Sequence, residues 1–118
     1  HAILTVAAIC AETAQAAERL AASADYGHLR RMRGEFGPLM SPEQALAHGW
    51  TAEEELLRRA NRQRLFVGDP EQIRGRLTAL AQRLGADEIM VMGAIFDPAA
   101  RLRSFELLAR AFDLREPG

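Results

Sequence analysis

Residues 87–112 read "DEIMVMGAIFDPAARLRSFELLARAF". Glu88 to Met92 is a short apolar run, too brief for a capped buried helix and suited to a strand. Asp97-Pro98 is a helix start: a side-chain acceptor at the cap, then a residue with no N–H to satisfy. Leu102, Phe105, Ala109 and Phe112 recur at helical spacing and predict an amphipathic helix with these four as its buried stripe. A buried strand that hands over to a helix in this way is the repeating unit of a parallel sheet.

Upstream the same grammar repeats. "RLFVG" over 64–68 is extended, Asp69 caps a helix with Pro70 at its first position, and Ile73, Leu77, Leu80 and Leu84 form a stripe that Gly85 ends. "AILTVAAIC", Ala2 to Cys10, is apolar except for Thr5 and predicts a strand covered on both faces. Ile3, Leu4, Val6, Ile9, Ile89 and Val91 are therefore expected to be nearly inaccessible. Thr13 caps a helix that carries Ala16, Ala17, Leu20 and Ala21 toward Arg33, with Gly34 as its stop. Residues 34–63 break the rhythm. Ser41-Pro42 opens a short helix that Gly49 closes, and Thr51-x-x-Glu54 opens another. The expected fold class is α/β: two parallel strands, Ala2–Cys10 and Glu88–Met92, with covering helices and a helical insertion over 34–63, all in one piece, 1–118.

Composition narrows the chemistry. All 15 basic residues are Arg, so Schiff-base chemistry, a phosphate-binding lysine and an amine base are excluded within this chain. Cys10 is the single cysteine, which excludes an internal disulfide and a cysteine-based zinc site. The net charge of −1 gives no global field toward nucleic acid or membrane. Arg30, Arg31, Arg33, Arg58, Arg59, Arg62 and Arg64, with Glu53 to Glu55 beside them, read as a solvated helix face rather than a nucleic-acid patch. No apolar run approaches the roughly 20 residues of a bilayer span. A soluble, cytoplasmic protein is expected.

No nucleophile elbow, P-loop, dinucleotide fingerprint or zinc-helix motif occurs. Cys10 ends the first strand, where α/β proteins place their sites, although a lone apolar-flanked cysteine is more often a buried, inert thiol. His28 and His48 lack partners at metal-ligand spacing. Glu12 and Asp97 could both stand at strand ends, but capping or surface roles account for each. Motifs alone name no reaction.

Order and spacing say more. Val67 to Ile73, "VGDPEQI", then Gly85 to Val91, "GADEIMV", then Phe96 to Ala109, "FDPAARLRSFELLA", resemble the carboxyl-terminal part of luciferase-like flavin-dependent monooxygenases. That family typically reads V-G-[ST]-P-E-x-[VI], G-[VA]-D-E-[LIM]-[MVI]-V and H-D-x-A-A-R-L-R-S-[YF]-E-L-L-A. "AAICAETAQAAERLAAS" from Ala7 and "RRMRGEFGPLMSPEQAL" from Arg30 are similar to its preceding strand-helix unit and to an insert of one subgroup. Asp69 replaces the usual Ser or Thr cap with an equivalent acceptor. Phe96 stands where many members carry His and brings no proton-handling group.

The resemblance implies a TIM-type (β/α)8 barrel with FMN at the mouth formed by the strands' carboxyl ends. Ala2–Cys10 would be the seventh strand and Glu88–Met92 the eighth. A barrel takes roughly 250 residues, so this chain would be a carboxyl-terminal portion, inactive and unable to hold FMN tightly alone. The implied partners are a flavin reductase, O2 and a small organic substrate. The implied pocket edge is Cys10, Met92, Phe96, Asp97 and Arg64, the last because some members present an arginine there to an anionic group. Catalytic residues are not assigned and no metal is expected. A deazaflavin-dependent relative and a non-enzymatic scaffold or binding module are the alternatives. Unclosed sheet edges predict self-association.

Overall fold

A computed structural model describes residues 1–112 of the chain; Asp113 and Leu114, the end of the family-like tail, lie outside the described residues. The elements run β1 (Ile3–Cys10), α1 (Ala14–Met32), α2 (Pro42–Ala47), α3 (Ala52–Arg62), β2 (Leu65–Gly68), α4 (Pro70–Leu84), β3 (Glu88–Met92) and α5 (Pro98–Ala111). Their starts follow the local chemistry. Thr13, Ser41, Thr51, Asp69 and Asp97 each accept a backbone N–H with the side chain, and those at 41, 51 and 69 are reciprocated by Gln44, Glu54 and Gln72. Gly85 ends α4 with φ 66°, the left-handed conformation that a side chain disfavours.

The sheet holds three strands, not two. The extended "LFVG" is a strand in its own right, and the order is β2-β1-β3, all parallel. Strand β1 is long enough to serve both neighbours at different heights. Ile3 to Ala7 pair with Glu88 to Met92, and Ala7 to Cys10 pair with Leu65 to Gly68.

Side chains alternate across the sheet. Val6, Ala8 and Cys10 point into a core with Ile73 and Leu77 of α4 and Leu107 and Leu108 of α5. Ile9 points the other way, onto Ala21 and Ala24 of α1, with Leu65 and Ile95. Burying an aliphatic side chain of this kind contributes about 1.5–3 kcal/mol. Helix α1 covers only the carboxyl end of its face. Val6 and Ile9 are buried as expected, but Leu4, Ile89 and Val91 are half-buried and Ile3 is 54% exposed. Ile3 lies on the α1 face, over whose amino end nothing sits among the described residues, whereas Leu4, Ile89 and Val91 lie on the opposite face, at the margin of the α4–α5 core.

Helix α5 also departs from expectation. It buries Ser104, Leu107 and Leu108, whereas Leu102 and Phe105 remain exposed. Positions 104, 107, 108 and 111 satisfy the helical period as well as 102, 105, 109 and 112 do. The sheet takes the face of Ser104, Leu107 and Leu108; of the expected stripe Phe112 packs against the same core, while Leu102 and Phe105 stay outside it.

Candidate functional site

The carboxyl end of the sheet is built by three turns: Cys10 to Thr13 after β1, Gly68 to Asp69 after β2, and Gly93 to Asp97 after β3. Pairing of β3 with β1 stops at Ala7↔Met92, so β1 runs on without a strand on that side. Alternate residues of a strand send their N–H groups to opposite edges. The N–H of Ala11 donates to the Gly68 carbonyl, while that of Cys10 faces the side β3 has left and donates to Ser104 Oγ at 2.9 Å, in a buried bond. The Cys10 thiol is itself buried. Burial, then the Asp69 and Glu12 charges, push its pKa up to about 11, so it is no thiolate at neutral pH.

Where β3 peels away, a cleft of about 440 Å³ opens, lined by Ala7, Met92, Gly93, Ala94, Arg101 and Phe105. Met92 is 60% exposed. Arg101 takes part in no ion pair among the described residues, whereas Arg103 is held by Glu12 at 2.7 Å and by Glu106 at 3.3 Å. The Arg103 hydrogen bond, opposed by burial, holds the Glu12 carboxyl below its ordinary pKa. Phe96 is exposed just beyond the cleft. Asp97 accepts the Ala100 N–H at 3.0 Å as the cap of α5.

Arg64 lies elsewhere. It precedes β2 on the far side of β1 from β3, is exposed, and does not line the cleft. Its charge is felt at His28, whose pKa is lowered by burial first and then by Arg31 and Arg64. Of the five residues expected at a pocket edge, the structure thus places Met92 in the cleft wall. Cys10 lies in the core beneath, Phe96 and Asp97 follow the cleft, and Arg64 is remote from it. Arg101 and Phe105 are the cleft residues that sequence reasoning did not select. The available signal was an arginine one turn into a helix whose first turn carries no acid.

The 34–63 segment is tied to α1 by charge as well as by packing of Ala45 and His48. Asp25, buried in α1, receives Arg62 Nε and Nη2 at 2.8 Å each, and Arg62 also meets Glu18 at 2.8 Å. Burial opposes the charge on Arg62, but its bonds to Asp25 and Glu18 prevail and raise its pKa. Glu54, the one residue of α3 that is buried, serves the Thr51 N–H at 2.9 Å, His48 Nε2 at 3.2 Å and Arg33. The Thr51 bond, against burial and with help from His48 and Arg33, brings its carboxyl pKa down to about 2. Trp50 stands edge-on to His48, with ring centroids 5.3 Å apart. These contacts hold helices together and gather no reactive pair. No group of three or more His, Cys, Asp or Glu side chains suited to a metal occurs among the described residues.

No family model matches the chain. It is 35% identical over 98% of its length to a protein of Escherichia coli K12 named luciferase-like monooxygenase, of which it covers 34%. The likeness is to luciferase-like monooxygenases. It is also 38% identical over 94% of its length to protein YceB of Bacillus subtilis strain 168, again covering 34% of that relative. The crystal structure of apo-MsnO8 superposes with a TM-score of 0.84 at 33% identity, over 98% of this chain and 35% of that one. The chain thus spans about a third of the length of the relatives it matches. β1 and β3 are parallel neighbours, and β2 lies along the other edge of β1. Among the described residues no helix is long and apolar enough to cross a membrane.

Proposed function

We propose that this chain forms the carboxyl-terminal part of the catalytic unit of a luciferase-like, FMN-dependent monooxygenase that uses O2 on a small organic substrate. One observation carries the reading: the likeness to apo-MsnO8 and to the relatives named luciferase-like monooxygenase extends over 98% of the chain, not over one motif. In this reading β1 and β3 are consecutive strands of a (β/α)8 barrel, and β2 pairs along the other edge of β1. The cleft lies at the carboxyl ends of β1 and β3, where such barrels place their sites.

The cleft residues fit one wall of a flavin site. Ala7, Met92 and Phe105 offer an apolar surface of the kind that packs against a planar ring, and Arg101 is the cation among them. Bound FMN supplies the redox chemistry, and the protein's part is position and shelter. Proton transfer is not among the tasks of the residues beside the cleft: Phe96 is apolar, Asp97 is committed to its cap, and Cys10 is a buried neutral thiol. A flavin reductase would deliver the reduced cofactor.

Oxygen uptake tests the reading. The protein as its gene encodes it is mixed in turn with reduced FMN and with a reduced deazaflavin, each with and without candidate substrates. Uptake coupled to product with FMN is the expected result. Turnover with the deazaflavin alone would move the protein to the related class, and inactivity with both would favour a non-enzymatic scaffold.

A further inference from the structure

We propose that Arg101 is an anion-recognition residue, gripping the phosphate or carboxylate of an otherwise apolar ligand held in the cleft between β1 and the departing end of β3. The guanidinium lines the cleft, and no carboxylate answers it among the described residues. The contrast within one helix is direct. Arg103, two positions on, is engaged by Glu12 and Glu106, and both acids face away from the cleft lining. An anion in the cleft would answer this charge through the fork-like donor geometry that suits phosphate and carboxylate.

The other walls describe the rest of the ligand. Ala7, Met92 and Phe105 are apolar, and the chain turns away at Gly93. A side-chain carbon at Gly93 would stand 3.3 Å from the Ala8 carbonyl oxygen and 3.7 Å from Phe105 Cζ, so this side of the cleft stays bare backbone. The matching chemistry is an apolar body with one anionic end. Arg64, the arginine singled out from sequence, shares none of these walls.

This rests on the functional reading only in treating the cleft as a ligand site, and its test involves neither flavin nor oxygen. The isotopically labelled chain is titrated with inorganic phosphate at constant ionic strength, following the amides of Gly93, Ala94 and Arg101 by NMR. The expected result is a saturable shift at these positions that weakens at least tenfold in Arg101→Gln. Arg83→Gln, in the last turn of α4, should leave it unchanged. An absent or non-saturable shift, one equally strong in Arg101→Gln, or one centred elsewhere would overturn the proposal, whatever the enzymatic assay shows. Given a phosphate site, FMN and riboflavin binding to the protein as its gene encodes it then identify the source. Selective weakening of FMN by Arg101→Gln assigns the anion to the cofactor, and equal effects on the two flavins assign it to the substrate.

Discussion

Replacing Ser104 by Ala should destabilise the protein by about 1–3 kcal/mol, the cost of leaving a buried donor without a partner. The donor is the Cys10 N–H, which has lost its strand on that side because β3 stops pairing at Met92. Ser104 is 1% exposed, so water cannot substitute without opening α5 from the sheet. An internal control exists. Ser23 in α1 is 0% exposed, and its hydroxyl has no partner among the described residues. Ser23→Ala removes an unsatisfied group and installs the best helix former, so its effect should lie within about 0.5 kcal/mol of zero or be stabilising. Both substitutions delete one buried oxygen from a helix. The difference between them therefore isolates the bond to Cys10. Urea melts of the two variants and the parent, with slopes compared to confirm two-state behaviour, give the numbers. Equal destabilisation by Ser104→Ala and Ser23→Ala would refute the assignment of Ser104 as the acceptor that ends the strand.

Leu77→Ala should cost about 2–5 kcal/mol, because the side chain is wholly enclosed between β1, α4 and α5. Leu102→Ala, on the stripe of α5 that the sheet does not take, should cost under about 0.5 kcal/mol. Similar melts for the two would mean that the faces of α5 are misassigned. The acid response of the 34–63 segment follows from Glu54. Its folded pKa is depressed, so its stabilisation is present above the ordinary carboxylate value of 4.5 and is lost as pH falls from there toward about 2. Trp50, the single tryptophan, should report this by fluorescence below pH 5, and Glu54→Gln should abolish the change. The same acid transition in Glu54→Gln would assign it to another group. The 118-residue chain alone should self-associate through the unpaired edge of β3 and the open sheet face that bears Ile3, Met90 and Met92. Sedimentation showing a monomer up to high micromolar concentration would count against that.

The caps were readable because they are local. Ser41 with Gln44, Thr51 with Glu54 and Asp69 with Gln72 each complete their bonds within four residues, so the residue types suffice. Gly85 was readable for the same reason. What could not be read is non-local. "LFVG" is extended on its own terms, but its place in the sheet depends on a register with Ala7 to Cys10. On α5 the position of β1 decides that Ser104, Leu107 and Leu108 are buried with Phe112 beside them, while Leu102 and Phe105 of the expected stripe stay outside. The bond from Cys10 to Ser104 joins positions 94 apart. Arg101 was passed over because an arginine in a helix is ordinarily solvated, and its lack of a partner is a property of the assembled cleft. Arg64 attracted notice through the family resemblance, and the strand order places it across β1 from the cleft.

The most direct test is equilibrium binding of FMN, followed by quenching of its fluorescence, to the protein as its gene encodes it and in parallel to the 118-residue chain alone. Cleft residues that form one wall of a site should give stoichiometric binding by a complete barrel and no tight binding by the isolated chain. A monodisperse monomer of the 118 residues that retains stoichiometric FMN, or an encoded protein that binds no flavin at all, would contradict the assignment.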